Sequence, residues 1–133
     1  MIDIENAVFT RIATELRSRF PNIDVCGEEV RTPSSFPCVS IVEADNFIVR
    51  NTQDSSRSEN HAEVMYEVNV YSNQTNGKKS ECKKILSTID EMFLSMGFTR
   101  TMKTPVTMDD ATIYRMVSRY SAIVSTNQMI YRR

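Results

Sequence analysis

The stretch EVMYEVNVYSNQTNGKKSECKKILSTIDEMFLSMGF, from Glu63 to Phe98, joins a strand pattern to a helix pattern through one polar turn. In its first part, apolar residues alternate with Glu63, Glu67 and Asn69, which predicts a strand with one buried face. In its second part, apolar residues recur every three or four positions, which predicts a helix over about residues 76–96, capped by Gly97. The residues expected to be buried are Ala62, Val64, Tyr66, Val68 and Val70 on the strand, and Cys82, Ile85, Leu86, Ile89, Met92, Phe93 and Met96 on the helix.

Upstream of this unit, the sequence predicts one helix and two strands. The helix carries an apolar stripe at four-residue spacing and ends at Pro21. A short strand is expected at Ile23–Val25 and a longer, kinked one at Cys38–Arg50. The loop Arg31–Pro37 separates them, because two prolines and two serines in seven residues oppose regular pairing. The stripe of the first helix consists of Ile4, Val8, Ile12 and Leu16.

Downstream, the sequence predicts two more strands joined by a tight turn. Phe98–Met108 is predicted to be an edge strand, because Pro105 cannot donate a backbone hydrogen bond inside a sheet. Asp109–Ala111 is the turn, and Thr112–Ser125 is a long strand with apolar residues on both faces. Residues 127–133 form a tail or a short strand. The expected fold is a single α+β domain over residues 1–133, a mostly antiparallel sheet with two helices on one face, in the order α-β-β-β-α-β-β.

The composition is that of an ordinary globular protein. The chain has 133 residues, of which 41% are hydrophobic and 25% charged, which suits one domain with one core. The formal net charge of −1 gives the whole molecule no attraction to nucleic acid or to anionic membranes. The N-terminal sequence lacks the apolar segment of a signal peptide, so we expect the chain to be made and kept in the cytoplasm or in an assembly built there.

The residues that carry chemistry form no recognisable active site. Gly77 precedes Lys78 and Lys79, but a phosphate-binding loop needs a second glycine so that successive backbone N–H groups can wrap the phosphates. This turn is therefore expected to be an ordinary helix start. The three cysteines lack C-x-x-C spacing and are predicted to be buried or half-buried free thiols: Cys26, Cys38 and Cys82. We predict that the chain is not an enzyme and has no catalytic residue, cofactor or metal ligand.

Two segments are candidate contact surfaces. If Tyr114, Met116 and Tyr120 point into the core, the other face of the last long strand carries apolar and basic residues that would meet a partner or another subunit. Its arginines either are solvated and paired with carboxylates of the same chain or form ion pairs between subunits. The second segment, Asn51–Asn60, has no apolar residue and is predicted to be an exposed loop. The candidate interface residues are Arg115, Val117 and Arg119 on the strand, with Ile113 and Ile123 beside them, and Asp54, Arg57 and Glu59 in the loop.

Three motifs resemble the tail terminator, or tail completion, proteins of long-tailed bacteriophages and phage-like particles. They are a strand that ends in Val70-Tyr71-Ser72-Asn73, a helix that closes on Met96-Gly97-Phe98, and a late strand with the pattern R-x-x-x-R-Y at Arg115, Arg119 and Tyr120. The N-terminal helix and the polar loop fall in the expected order, so the resemblance covers most of the chain.

The resemblance implies a structural virion protein, assembled in the bacterial cytoplasm. Proteins of this family form a ring, usually a hexamer, at the head-proximal end of the tail tube, where they stop tube growth and join the tail to the head connector. The implied partners are further copies of the chain, the tail tube protein and the connector or neck proteins, with no membrane and no specific nucleic acid, although genome DNA would pass through the ring. The alternatives are a neck or head-completion protein of the same virion region, or a small cytoplasmic oligomeric binding module.

Overall fold

The computed structural model describes residues 1–49, 61–125 and 130–131. Within them the chain forms α1 (Glu5–Arg19), β1 (Asp24–Cys26), β2 (Cys38–Ile48), β3 (His61–Ser72), α2 (Lys78–Ser95), β4 (Thr99–Val106), β5 (Tyr114–Ser125) and β6 (Ile130–Tyr131). The α+β class is confirmed. The predicted order is incomplete by one element, because β6 follows β5 as a sixth strand. Neither of the two helices in these described residues is long and apolar enough to cross a membrane.

The sheet is mixed and mostly antiparallel. Its strands lie in the order β1-β2-β3-β5-β4, and β6 also pairs with β5. Only β1 runs parallel to its neighbour, β2; the other described pairs are antiparallel. The longest strands, β3 and β5, therefore lie side by side at the centre of the sheet, with Glu67 opposite Arg119 and Tyr71 opposite Arg115.

Both helices pack on one face of the sheet, as predicted. The stripe of α1 is buried at Val8, Ile12 and Leu16, because four-residue spacing places these side chains on one side of the helix. Residues of α1 and α2 share one core cluster with the alternating apolar residues of β3. On β5 the residues in this cluster are Met116, Tyr120, Ala122 and Val124.

An aromatic cluster fixes α2 against the centre of the sheet. The ring of Phe93 stacks on that of Tyr120, with centroids 4.2 Å apart and planes 7° apart. Phe98 meets Phe93 edge to face at 5.1 Å and Tyr66 at 5.6 Å. Gly97 adopts φ +98°, which confirms the left-handed end of the helix and lets the chain turn directly into β4.

Strand β4, at one edge of the sheet, and the part of β2 beyond its pairing with β1 carry features that oppose pairing with a further strand. In β2 the register shifts between Glu43 and Asp45, which accounts for the expected kink. The backbone N–H of Glu43 donates to the Glu5 carboxylate at 3.0 Å, so this side of β2 is already engaged. Strand β4 contains Pro105 and a second register shift, and proteins use both to blunt an exposed edge. The fold therefore favours association through a face or a cleft over addition of a strand.

Candidate interaction surface

The face of the sheet opposite the helices, called here the outer face, carries polar and apolar side chains in alternation with the core residues. On β3 and β5 its members include Met65, Glu67, Asn69, Tyr71, Arg115, Val117, Arg119 and Ile123. Ile113 was expected on this face as part of the strand. The structure corrects this, because β5 begins only at Tyr114 and Ile113 belongs to the preceding turn.

One end of the outer face is covered by the loop of residues 27–37. The hydroxyl of Tyr71 donates to the carbonyl oxygen of Val30 at 2.8 Å, and that of Ser40 donates to the carbonyl oxygen of Glu28 at 2.7 Å. Tyr71 is consequently buried although it points away from the helices, and burial raises the pKa of its hydroxyl, an effect that the Arg115 charge opposes. The loop is thus held to the sheet by defined hydrogen bonds at the end where Arg115 lies.

Arg115 is fixed in orientation by two neighbours on β3. Its Nε donates to Oδ1 of Asn69 at 2.9 Å, and its guanidinium carbon lies 5.5 Å from the ring centroid of Tyr71. A cation over an aromatic face at this distance is attracted by the ring. The plane of the guanidinium is therefore set by contacts within the chain.

Arg119 forms an ion pair four residues further along the same face. Its Nε and one terminal nitrogen donate to Oε1 of Glu67 at 3.1 and 3.0 Å. The side chains are 44% and 24% exposed, so solvent screens the pair and its net stabilisation is small, about 0–1 kcal/mol. Of the two interpretations of the arginines, pairing within the chain is realised for Arg119, whereas Arg115 has an amide as its partner.

Val117 lies between the two arginines on the outer face. Its side chain is only 4% exposed in the single chain. Little of it therefore remains available to contact a partner directly.

A cleft of about 340 Å³ opens beside Arg115. One wall is formed by residues 29–32 of the covering loop and the other by residues 107–110 of the turn between β4 and β5, and Ile113 and Arg115 also line it. The cleft holds charges of both signs: the carboxylates of Glu29, Asp109 and Asp110 and the guanidinium groups of Arg31 and Arg115. The carboxylate of Asp110 accepts hydrogen bonds from the hydroxyl and the N–H of Thr112, which lower its pKa.

The structure thus brings together three of the six predicted interface residues. Arg115, Val117 and Arg119 lie in one row on the outer face. Asp54, Arg57 and Glu59 lie outside the described residues. Sequence reasoning missed the partners Asn69 and Tyr71 and the cleft itself. The alternation on β3 places Asn69 on the outer face, but only the pairing of β3 with β5 brings it to Arg115.

The remaining candidate functional groups, which are the possible metal ligands, Lys78 and the three cysteines, either form no site or make structural contacts. Among the described residues no three His, Cys, Asp or Glu side chains are arranged to hold a metal ion. Lys78 donates to the carbonyl oxygen of Ala111 at 2.9 Å, which ties the helix start to the turn before β5. Cys38 and Cys82 are buried and Cys26 is half-buried, as predicted. Burial raises the pKa of Cys38 and of Cys82 to about 12, so these thiols stay protonated at neutral pH and are poor nucleophiles.

No protein-family model matches this chain, and no curated protein matches it.

Proposed function

We propose that this chain is a structural virion protein of the tail terminator kind, which forms a ring at the head-proximal end of a phage tail tube. The ring, six-membered in the family that the sequence resembles, ends tube growth and joins the tail to the head connector. The observation that carries this proposal is the pre-oriented Arg115 on the outer face, next to an open cleft. Arginine is enriched among the residues that contribute most to binding at protein interfaces, and a side chain that is already ordered loses less entropy on binding.

The two faces of the sheet differ in a way that supports this proposal: one face forms the core of the subunit, and the other remains available for association. The inner face is occupied by both helices and the aromatic cluster. The outer face retains partly exposed ionic groups such as Arg119 and Glu67. Partly exposed charges around a covered apolar centre are typical of the rim of an interface, where they set register and specificity more than affinity.

The charge of the chain is compatible with self-assembly. The sequence has 16 basic and 17 acidic residues, which leaves a net charge of −1. Long-range repulsion between copies is therefore weak, and a net charge near zero promotes association. In a ring of identical subunits each copy must present both halves of the contact, and a chain with nearly equal numbers of basic and acidic residues can do so.

The proposal is tested by the mass and the shape of the purified protein, followed by its effect on tubes. Native mass spectrometry should show one closed oligomer, and negative-stain electron microscopy should show a ring with a central channel. When the ring is added during polymerisation of the neighbouring gene's tail tube protein, it should cap one tube end and shorten the tubes. A strictly monomeric chain, or a ring that never meets tubes, refutes the proposal. A ring that binds isolated head connectors and no tubes would identify a neck protein.

A further inference from the structure

The first five residues of the chain are held to β2 on both sides of its register shift. The carbonyl oxygen of Ile2 accepts from the side-chain amide of Asn46 at 2.8 Å. The carboxylate of Glu5 accepts from the backbone N–H of Glu43 at 3.0 Å. Because β1 pairs only with the first three residues of β2, these contacts cover a part of its edge that no described strand covers. These five residues are called here the N-terminal latch.

The latch brings three carboxylates together. Oδ1 of Asp3 accepts from the N–H of Glu5 at 3.0 Å, and Glu5 in turn contacts Glu43. Burial raises the pKa of Glu43, and the charges of Glu5 and Asp3 raise it further. The ion pairs formed among the described residues involve none of these three carboxylates. While the latch is closed, the ionised form of Glu43 is therefore destabilised both by burial and by repulsion.

A buried hydroxyl beside these carboxylates limits what the cluster can bind. Tyr66 lies opposite Glu43 in the sheet and is fully buried, and within the described part of the chain its hydroxyl oxygen has no hydrogen-bond partner. Burial raises the pKa of Tyr66, and the nearby charge of Glu43 raises it further. No three carboxylate, thiol or imidazole side chains of the described residues are placed to hold a metal ion. A proton needs neither such a cage nor open space. On Glu43 it removes the repulsion and provides an O–H that can donate to the hydroxyl of Tyr66.

We propose that Glu43 is the proton-binding group of a conformational switch: a proton on Glu43 holds the latch on β2, and release of this proton favours opening of the latch. Ile2 and Ile4 are only 6% and 5% exposed, so their burial keeps the latch mostly closed in the native state, and the proton controls how often it opens. An open latch frees the N–H of Glu43 and uncovers backbone groups at the edge of β2, where a further strand could pair. The switch belongs to the single chain and does not depend on the proposed ring.

Hydrogen exchange, resolved residue by residue between about pH 4 and pH 8, tests the switch. The amide of Glu43 reports opening of the latch, and that of Val68, in the central strand β3, reports unfolding of the whole chain. After division by the intrinsic exchange rate, the opening constant at Glu43 should rise from near pH 4.5 and level off at the raised pKa of its carboxyl. The rise should be tenfold for each unit by which this pKa exceeds that of the open latch.

Three variants identify the group that binds the proton. Glu43→Gln cannot ionise at this position, so its opening constant should not vary with pH. Glu5→Gln keeps a side-chain oxygen that can accept from the N–H of Glu43 but removes one repelling charge, so its rise should be smaller than that of the wild type. Glu15→Gln is the matched control, because Glu15 pairs with Arg19 on the exposed side of α1, and it should keep the full rise.

Each result either supports the switch or overturns it. A pH-independent opening constant in the wild-type chain, or an unchanged rise in Glu43→Gln, overturns the role of Glu43. An unchanged rise in Glu5→Gln overturns the role of the cluster. Equal opening constants at Glu43 and Val68 at every pH would show that the latch opens only when the whole chain unfolds, which also overturns the switch. None of these results depends on whether the chain forms a ring, so failure of the switch leaves the proposed function untouched.

Discussion

Replacement of Phe93 by alanine tests the part of the fold that supports the outer face. Phe93 is completely buried, stacks on Tyr120 at 4.2 Å and meets Phe98 at 5.1 Å. Truncation of a buried phenylalanine to alanine costs about 3–5 kcal/mol of unfolding free energy. The two close ring contacts account for about 1–3 kcal/mol of this, at about 0.5–1.5 kcal/mol each. The remainder comes from lost apolar burial and the cavity left behind.

Two further variants separate these contributions. Phe93→Leu keeps most of the apolar volume and should lose mainly the ring contacts, about 1–3 kcal/mol. Leu94→Ala changes the next residue of the same helix, but Leu94 is 40% exposed, so its truncation should cost less, about 1 kcal/mol. The expected order of decreasing stability is therefore wild type, Leu94→Ala, Phe93→Leu and Phe93→Ala.

Urea unfolding followed by circular dichroism measures these differences. With a slope of about 2 kcal/mol per molar urea, Phe93→Ala should lower the midpoint by about 1.5–2.5 M. The variant would still fold if the unfolding free energy of the wild type lies well above 5 kcal/mol, within the usual range of about 5–15 kcal/mol. If Phe93→Ala and Leu94→Ala have midpoints within about 0.5 M of each other, the stacked cluster does not stabilise the fold as described.

Two other changes test local features by the same measurement. Gly97→Ala should destabilise the chain more than Gly77→Ala: both have positive φ, which costs about 1–2 kcal/mol for an L residue, but only at Gly97 would a Cβ also lie 3.1 Å from Ile130. Equal losses would show that the contact with Ile130 has no effect. Glu43→Gln should stabilise the chain at pH 7, because burial raises the pKa of Glu43 above its ordinary value of 4.5, and the nearby charges of Glu5 and Asp3 raise it further. A carboxyl with a raised pKa in the folded state contributes stability that is fully present below pH 4.5 and is lost as the pH rises through the raised value. The advantage of Glu43→Gln should therefore shrink as the pH falls to 4.5 and below, and a pH-independent difference would contradict this account.

The local elements were predictable because each depends on a short repeat. The alternation on β3 correctly gave its buried face, and the stripe on α2 correctly gave the helix and its end at Gly97. These signals arise from residues two to four positions apart, where geometry leaves few choices. The same reasoning placed Arg115 and Arg119 on one face of β5.

The arrangement of the surface was not predictable from such repeats. Tyr71 and Val30 are 41 residues apart in sequence, and Arg115 and Asn69 are 46 apart. Periodicity shows which side of a strand a residue occupies, but it does not show which strand lies beside it or which loop covers it. The parallel pairing of β1 with β2 was not predicted, for the same reason. A short strand near the end of the chain was one of the two predicted possibilities, but its pairing with β5 was not predicted.

Strand β5 carries core residues on one face and the candidate interface residues Arg115 and Arg119 on the other. Tyr120 is stacked under Phe93 and donates to Asp90 of α2 at 2.9 Å, whereas its neighbour Arg119 points to the outer face. Successive side chains of a strand point to opposite faces, so the core contacts of Tyr120 also hold the backbone that carries Arg119 and Arg115 on the outer face. Arg115 lies five residues from Tyr120, about 16 Å along the strand at about 3.3 Å per residue. Side chains that are ordered before association lose little conformational entropy when a partner binds. If a core variant such as Phe93→Ala assembled more weakly, the cause would be ambiguous. This substitution lowers the stability of the subunit and also loosens the side chains on the outer face. Arg115→Lys is more informative, because it leaves the core intact and alters only the outer face, where Arg115 contacts Asn69 and Tyr71.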